Sequence, residues 1–244
     1  MVHGDFFSNA HSTENSPSYK FGKELFISLT VGFLLMFFTV LGMFLFSFSS
    51  YVHIFSFLFV IPLFGALIFG ILLTAGRYLS FYRIAENKKF HTLIGILMLY
   101  LGYSILGGIV LTKYPTQQAL FGLIITSIIT LIITLVAAVY VYYTDKNLSI
   151  WRFRSRNFFL AALSLLFLQL IMMLIPGLGF VADLMSELII FAIILGFSCD
   201  LVFELWMTSE RNRGPYKNGI AIYVSVAGIF VHVLRYVRMI FRRT

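Results

Sequence analysis

Charged side chains are scarce in this sequence, and their scarcity indicates which solvent surrounds the protein. Only 11% of the 244 residues are Asp, Glu, Lys or Arg, whereas a typical soluble domain has about 25%. Hydrophobic residues make up 60% of the chain. This amount of charge is too small to cover a water-exposed surface. We therefore expect the chain to lie in a lipid bilayer, without a soluble domain large enough to fold alone.

Cysteine is nearly absent as well, since Cys199 is the single residue of this type. An intramolecular disulfide is therefore excluded.

A cleavable signal peptide is not expected either, because the first apolar run is too long and no small-residue cleavage site follows it. Residues 1–22 are polar and lack a hydrophobic period. We expect them to form a disordered cytoplasmic tail before a transmembrane domain of residues 23–244.

Long apolar runs are what the chain has in place of charge. A helix needs roughly 20 apolar residues to cross a bilayer, and these runs lack the strict alternation of barrel strands. The sequence therefore predicts an all-α, polytopic membrane helix bundle with seven transmembrane helices. The predicted spans are Leu25–Phe46, Val52–Leu73, Leu93–Leu111, Ala119–Tyr142, Phe158–Ile175, Val181–Leu205 and Gly219–Leu234.

The basic residues are concentrated in every second loop. They precede the first span and follow the second, fourth and sixth spans, whereas the remaining loops hold only Lys113. The positive-inside rule therefore predicts a cytoplasmic N-terminus. The seventh segment departs from this pattern, because a crossing would carry Arg235, Arg238 and the two arginines at 242 and 243 to the outer side. That segment either spans the membrane within the bundle or re-enters and returns.

The net charge of +8 would suggest nucleic-acid binding in a soluble protein. Here the basic residues flank apolar runs, where they set orientation and contact anionic headgroups. We therefore expect the lipid bilayer as a partner and no nucleic acid.

Acidic residues within membrane segments are costly and therefore informative. The candidates all fall in the sixth span, as Asp183, Glu187, Asp200 and Glu204. Asp183 and Glu187 lie near its outer boundary, because about 20 Å of helix separates Glu187 from Asp200. Asp200 and Glu204 share a face toward the cytoplasmic end. We interpret Asp200 either as an ion-coordinating or titrating group, or as one half of a structural ion pair.

Two arginines lie where they can reach these carboxylates. Arg77 closes the second span at the cytoplasmic end, at the depth of Asp200 and Glu204, and Arg83 follows one or two turns later. An arginine and a carboxylate form a charge-assisted clamp. Arg77 or Arg83 is therefore a candidate latch.

The catalytic patterns in the chain are incomplete. Gly196-Phe197-Ser198-Cys199 lacks one glycine of the nucleophile site of rhomboid proteases, for which His232 would be the base. Gly177-Leu178-Gly179-Phe180 has Phe where aspartyl intramembrane proteases have Asp. The other histidines are scattered and form no metal-ligand cluster. We expect no enzymatic activity, no cofactor and no bound metal.

The last two spans resemble the transmembrane Bax inhibitor motif family. Ser198-Cys199-Asp200-Leu201 matches the Asp motif that ends the family's sixth helix. Ile222-Tyr223-Val224 and Val233-Leu234-Arg235 match the LYL and LLR elements of its final helix, and Ile229-Phe230 match LF. The family's second Asp is replaced by Ser225, and its Asn by Gly228.

The resemblance implies a seven-helix bundle that acts as a passive calcium or cation leak with a stress-protective role. Asp200, Glu204 and Ser225 would be its ion-binding or gating positions, and Ca²⁺ the transported ion. In bacterial members, which lie in the plasma membrane, paired Asp residues sense pH; Ser225 prevents that pair here. The alternative, favoured by Ser225 and Gly228, is a non-conducting protein that modulates other membrane proteins, such as a quality-control protease.

Overall fold

The computed structural model describes residues 17–49, 62–81, 88–114, 116–144, 147–173, 175, 179–210 and 214–243. Every regular element within these ranges is a helix. In chain order they are α1 (Pro17–Ser47), α2 (Pro62–Phe81), α3 (Lys88–Thr112), α4 (Thr116–Tyr143), α5 (Ile150–Met173), α6 (Gly179–Glu210) and α7 (Pro215–Arg243). The prediction of an all-α helix bundle is therefore confirmed.

Six of the described helices, α1 and α3 to α7, are long and apolar enough to cross a membrane. The remaining helix, α2, has 20 residues and Arg77 as its one charged side chain. Each helix satisfies its own backbone hydrogen bonds, which is the condition for spanning lipid without a closed barrel. The chain is thus a multi-pass integral membrane protein.

Three helix boundaries differ from the predicted spans. Helix α2 is Pro62–Phe81, so Arg77 lies within the helix and not in the loop after it; residues 52–61 of the predicted span lie outside the described residues. Helix α5 begins at Ile150, which brings three arginines into its first two turns. Helix α7 extends to Arg243. In each case the helix continues through basic residues, because a long side chain can reach a partner or the headgroup region while its backbone stays helical.

Helix α7 lies at the centre of the bundle. It packs against α1, α2, α3, α4 and α6, and 83% of its apolar span is buried inside the protein. Helix α5 is the opposite case, because it packs chiefly against α6 and only 11% of its span is buried. The helix with the most polar and basic residues is therefore the one that the others shield from lipid.

The described part of α7 runs from one end of the bundle to the other. Near its start, Ser28 donates a hydrogen bond of 3.2 Å to the Pro215 carbonyl. Near its end, Tyr114 donates one of 2.6 Å to the Leu234 carbonyl. The seventh segment thus spans the bundle as a single helix and does not re-enter. Its end therefore lies beside Tyr114, which follows Lys113 in the chain. Partial burial and the charges of Arg238 and Arg235 lower the pKa of Lys113.

A close approach of α2 and α3 fixes the position of Arg77. A Cβ added to Gly95 would lie 2.6 Å from the Ser80 nitrogen and 2.7 Å from the Gly76 carbonyl oxygen. Only glycine leaves room for two helix backbones at this distance. Because Arg77 directly follows Gly76, this contact determines where its side chain leaves α2.

Candidate functional site

Arg77 of α2 forms ion pairs with both inner carboxylates of α6. Its Nη2 lies 3.2 Å from Oδ2 of Asp200 and 3.1 Å from Oε1 of Glu204. The same nitrogen is 3.4 Å from Oδ1 of Asp200. Asp200 and Glu204 can share one guanidinium because residues four apart lie on the same helix face.

Asp200 has a second partner on the central helix. The hydroxyl of Ser225 donates a hydrogen bond of 2.9 Å to Oδ2 of Asp200, and both residues are buried. Asp200 therefore faces the interior of the bundle. Three helices thus converge on one carboxylate: α6 carries it, α2 supplies a cation and α7 supplies a hydroxyl donor.

The guanidinium and the carboxylates differ in their exposure at the protein surface. The Arg77 side chain is 38% exposed, whereas those of Asp200 and Glu204 are each 8% exposed. Burial strengthens the attraction between the charges but makes an unpaired carboxylate costly. The arginine is therefore the partner with a path out of the site, and the carboxylates are the partners that need a replacement when it leaves.

A buried polar network beside this site was not predicted from the sequence. Tyr103 of α3 donates a hydrogen bond of 3.0 Å to the carbonyl of Val224, the neighbour of Ser225. The Tyr103 ring meets that of Tyr223 edge-on at 6.1 Å, and the Tyr223 hydroxyl lies 2.7 Å from Oγ1 of Thr39 on α1. These buried tyrosines lie within apolar runs, where a tyrosine alone does not distinguish a packing residue from a hydrogen-bonding one.

Among the other candidate residues, Glu187 is described and lies away from this cluster. Arg83 lies outside the described residues, as does the side chain of Asp183. Glu187 lies on α6 about 20 Å from Asp200 along the helix axis. Within the described residues, no three His, Cys, Asp or Glu side chains gather as a metal site.

The serine and histidine of the incomplete protease pattern are engaged elsewhere. Ser198 donates its hydroxyl hydrogen bond to the carbonyl of Ile194 at 2.8 Å. Nδ1 of His232 lies 2.8 Å from the carbonyl oxygen of Gly228. Within the described part of the chain, the two side chains form no hydrogen bond with each other. This geometry does not provide a nucleophile with an adjacent base.

Comparison of the chain with protein-family models, with curated proteins and with solved structures finds no match to any of them. The resemblance to the Bax inhibitor motif family therefore rests on the motifs of α6 and α7 alone.

Proposed function

We propose that the protein is a passive cation leak whose ion site is the carboxylate pair of Asp200 and Glu204. The observation that supports this proposal is the placement of Arg77, whose guanidinium contacts both carboxylates at 3.1–3.2 Å. A guanidinium in this position occupies the place that a mobile cation would take. Arg77 acts as a latch: while it is paired, the site is closed to ions.

Calcium is the ion that the site's chemistry favours. Ca²⁺ binds oxygen ligands and prefers carboxylates, with six to eight oxygens around it. Asp200 and Glu204 provide carboxylate oxygens, and the Ser225 hydroxyl lies against Asp200. Protein oxygens alone fall short of a full coordination shell, so water must supply the rest. A weakly held, partly hydrated ion suits passage through the site better than storage in it.

Opening requires that Arg77 leave the carboxylates. Its partial exposure gives it a route toward the aqueous end of the bundle, where it can be solvated. An incoming cation then compensates the buried carboxylates, which lowers the cost of breaking the ion pair. Flux is therefore expected to rise when Arg77 loses its charge, and to fall when Asp200 does.

The alternative is a non-conducting membrane protein that modulates other membrane proteins. The observation that favours it is that Asp200 already has two partners. It is paired with Arg77 and also accepts the Ser225 hydrogen bond. A carboxylate with this many partners also suits a structural clamp that joins α2, α6 and α7. In that case Arg77, Asp200 and Ser225 stabilise the bundle without any ion passing between them.

Calcium flux into proteoliposomes tests the proposal. The wild type and the Arg77→Gln and Asp200→Asn variants are compared, with Ser198→Ala as a matched control, because Ser198 lies close to Asp200 on α6 but bonds only within its helix. We expect flux to increase in Arg77→Gln, to disappear in Asp200→Asn and to stay unchanged in Ser198→Ala. Folded protein with no flux in any variant would instead support the non-conducting alternative.

A further inference from the structure

The first two turns of α5 carry a group of exposed arginines at the end of the bundle that is predicted to be cytoplasmic. Arg152, Arg154 and Arg156 are all exposed. The first turn of α5 contains no acidic residue. The arginines therefore add positive charge to a helix N-terminus, the end that the helix dipole already makes positive.

These arginines do not lie on one face of α5. Successive residues of a helix are rotated by about 100°, so Arg152 and Arg156 are about 40° apart, whereas Arg154 points to the other side. The buried residues Ser155 and Ala162 mark the face that packs against α6. Arg152 and Arg156 form a pair beside this contact.

Each member of the pair lies against an aromatic ring, as does Arg154, whose guanidinium carbon lies 4.9 Å from the centre of the Trp151 ring. The guanidinium carbon of Arg152 lies 5.4 Å from the centre of the Phe203 ring on α6. That of Arg156 lies 5.3 Å from the centre of the Phe153 ring. Such contacts reduce the freedom of a long side chain while leaving its N–H donors available. In the described part of the chain, ion pairs are formed by Arg77 and not by these two arginines.

An apolar stripe continues along α5 from the arginine pair. Leu160, Leu163 and Phe167 are all exposed. They follow Arg156 by 4, 7 and 11 residues, a spacing that keeps them on the face of Arg152 and Arg156. An anionic phospholipid has a charged headgroup at the membrane surface and apolar chains in the bilayer. The two arginines suit the headgroup, and the apolar stripe suits the chains. A free phosphate ion would use only the arginines.

We propose that Arg152 and Arg156 bind the headgroup phosphate of an anionic phospholipid whose acyl chains lie along α5. Arginine forms paired, charge-assisted hydrogen bonds with phosphate oxygens. This site is separate from the Arg77 cluster and does not depend on whether the protein conducts ions.

Phosphatidylglycerol binding to the purified full-length protein in detergent tests the proposal, with bound lipid counted by native mass spectrometry. We expect Arg152→Gln and Arg156→Gln each to weaken binding by about tenfold, the loss of one charge-assisted contact. Arg154→Gln is the matched control, because it removes the same charge from the other face of the same turn. We expect it to change binding by less than about twofold. Thermal unfolding checks that all three variants remain folded.

Several results would overturn the proposal. An equal loss in Arg154→Gln would show attraction by diffuse charge and not a defined site. Equal binding of phosphatidylcholine would show that the anionic headgroup is not recognised. Displacement of the lipid by excess inorganic phosphate would identify a site for a soluble anion. Resistance to phosphate, together with weaker binding of phosphatidylcholine, would support the lipid site.

Discussion

The guanidinium of Arg77 contacts Asp200 across 123 residues of sequence, with Nη2 hydrogen-bonded to both carboxylate oxygens. This single nitrogen connects α2 to α6 and also contacts Glu204. Removing one partner of a buried ion pair typically costs about 3–5 kcal/mol, because the other charge stays buried without compensation.

The first prediction concerns the stability of the Arg77→Gln variant. Because the Arg77 side chain is 38% exposed, the pair is only partly buried, and we expect a loss of about 2 kcal/mol. Arg77→Lys should lose less, since it keeps the charge. The stability losses of both variants are measured by unfolding the protein in detergent with increasing denaturant. A stability loss in Arg77→Gln no greater than in Arg77→Lys would contradict the structural role of the charge.

The second prediction concerns the contact between α2 and α3. A Cβ on Gly95 would lie 2.7 Å from the Gly76 carbonyl oxygen, so Gly95→Ala must push the helices apart and should cost about 1–3 kcal/mol. Gly70 is the control, because it is exposed and a Cβ there meets no described atom within 4 Å. Gly70→Ala should leave the melting temperature unchanged or raise it. Equal destabilisation by both changes would show that the α2–α3 contact is looser than the structure indicates.

The sequence predicted the helices better than their arrangement. Apolar runs identify spans because lipid tolerates little else. The central position of α7 could not be predicted, because Gly219–Leu234 was the shortest predicted span and the arginines that follow it argued against a crossing. A helix surrounded by other helices does not face lipid, so it can carry polar residues that the hydropathy pattern counts against it.

The cluster itself was only partly predictable. Arg77 and Asp200 could be matched by depth, but depth does not show which side chains face each other. The hydrogen bond from Tyr103 to the Val224 carbonyl depends on the register between α3 and α7. No pattern within either segment encodes that register, so the tyrosine network appears only in the folded bundle.

The third prediction concerns orientation in the membrane. The basic residues around α5 predict that its start faces the cytoplasm, and α7 crosses the bundle to end near Lys113. In a Cys199→Ser background, Ser149→Cys should therefore react with a membrane-impermeant thiol reagent only after the cells are opened. Lys113→Cys should react in intact cells. Efficient labelling of position 149 from outside would reverse the orientation.

The last prediction concerns the pH dependence of flux. Two carboxylates in contact cannot both ionise cheaply, so a carboxylate pair takes up or releases a proton near neutral pH. Here the position opposite Asp200 on α7 is Ser225, whose hydroxyl donates a hydrogen bond of 2.9 Å to that carboxylate. The carboxylates of Asp200 and Glu204 both contact Nη2 of Arg77, so a cation compensates this pair. We therefore expect wild-type flux to depend only weakly on pH between about 6 and 8.

Replacing Ser225 by Asp tests this argument directly. The Ser225→Asp variant places a second carboxylate where the hydroxyl now contacts Asp200, so repulsion should make one of the two retain a proton. Flux should then change steeply with pH. Ser225→Asn is the control, because the amide is similar in size to the carboxylate of Ser225→Asp, can donate a hydrogen bond and does not titrate. The flux of the wild type and of the two variants is measured in proteoliposomes across the pH range. A steep response in the wild type would show that another group titrates, and Glu204 would be the next carboxylate to replace, because it shares Arg77 with Asp200.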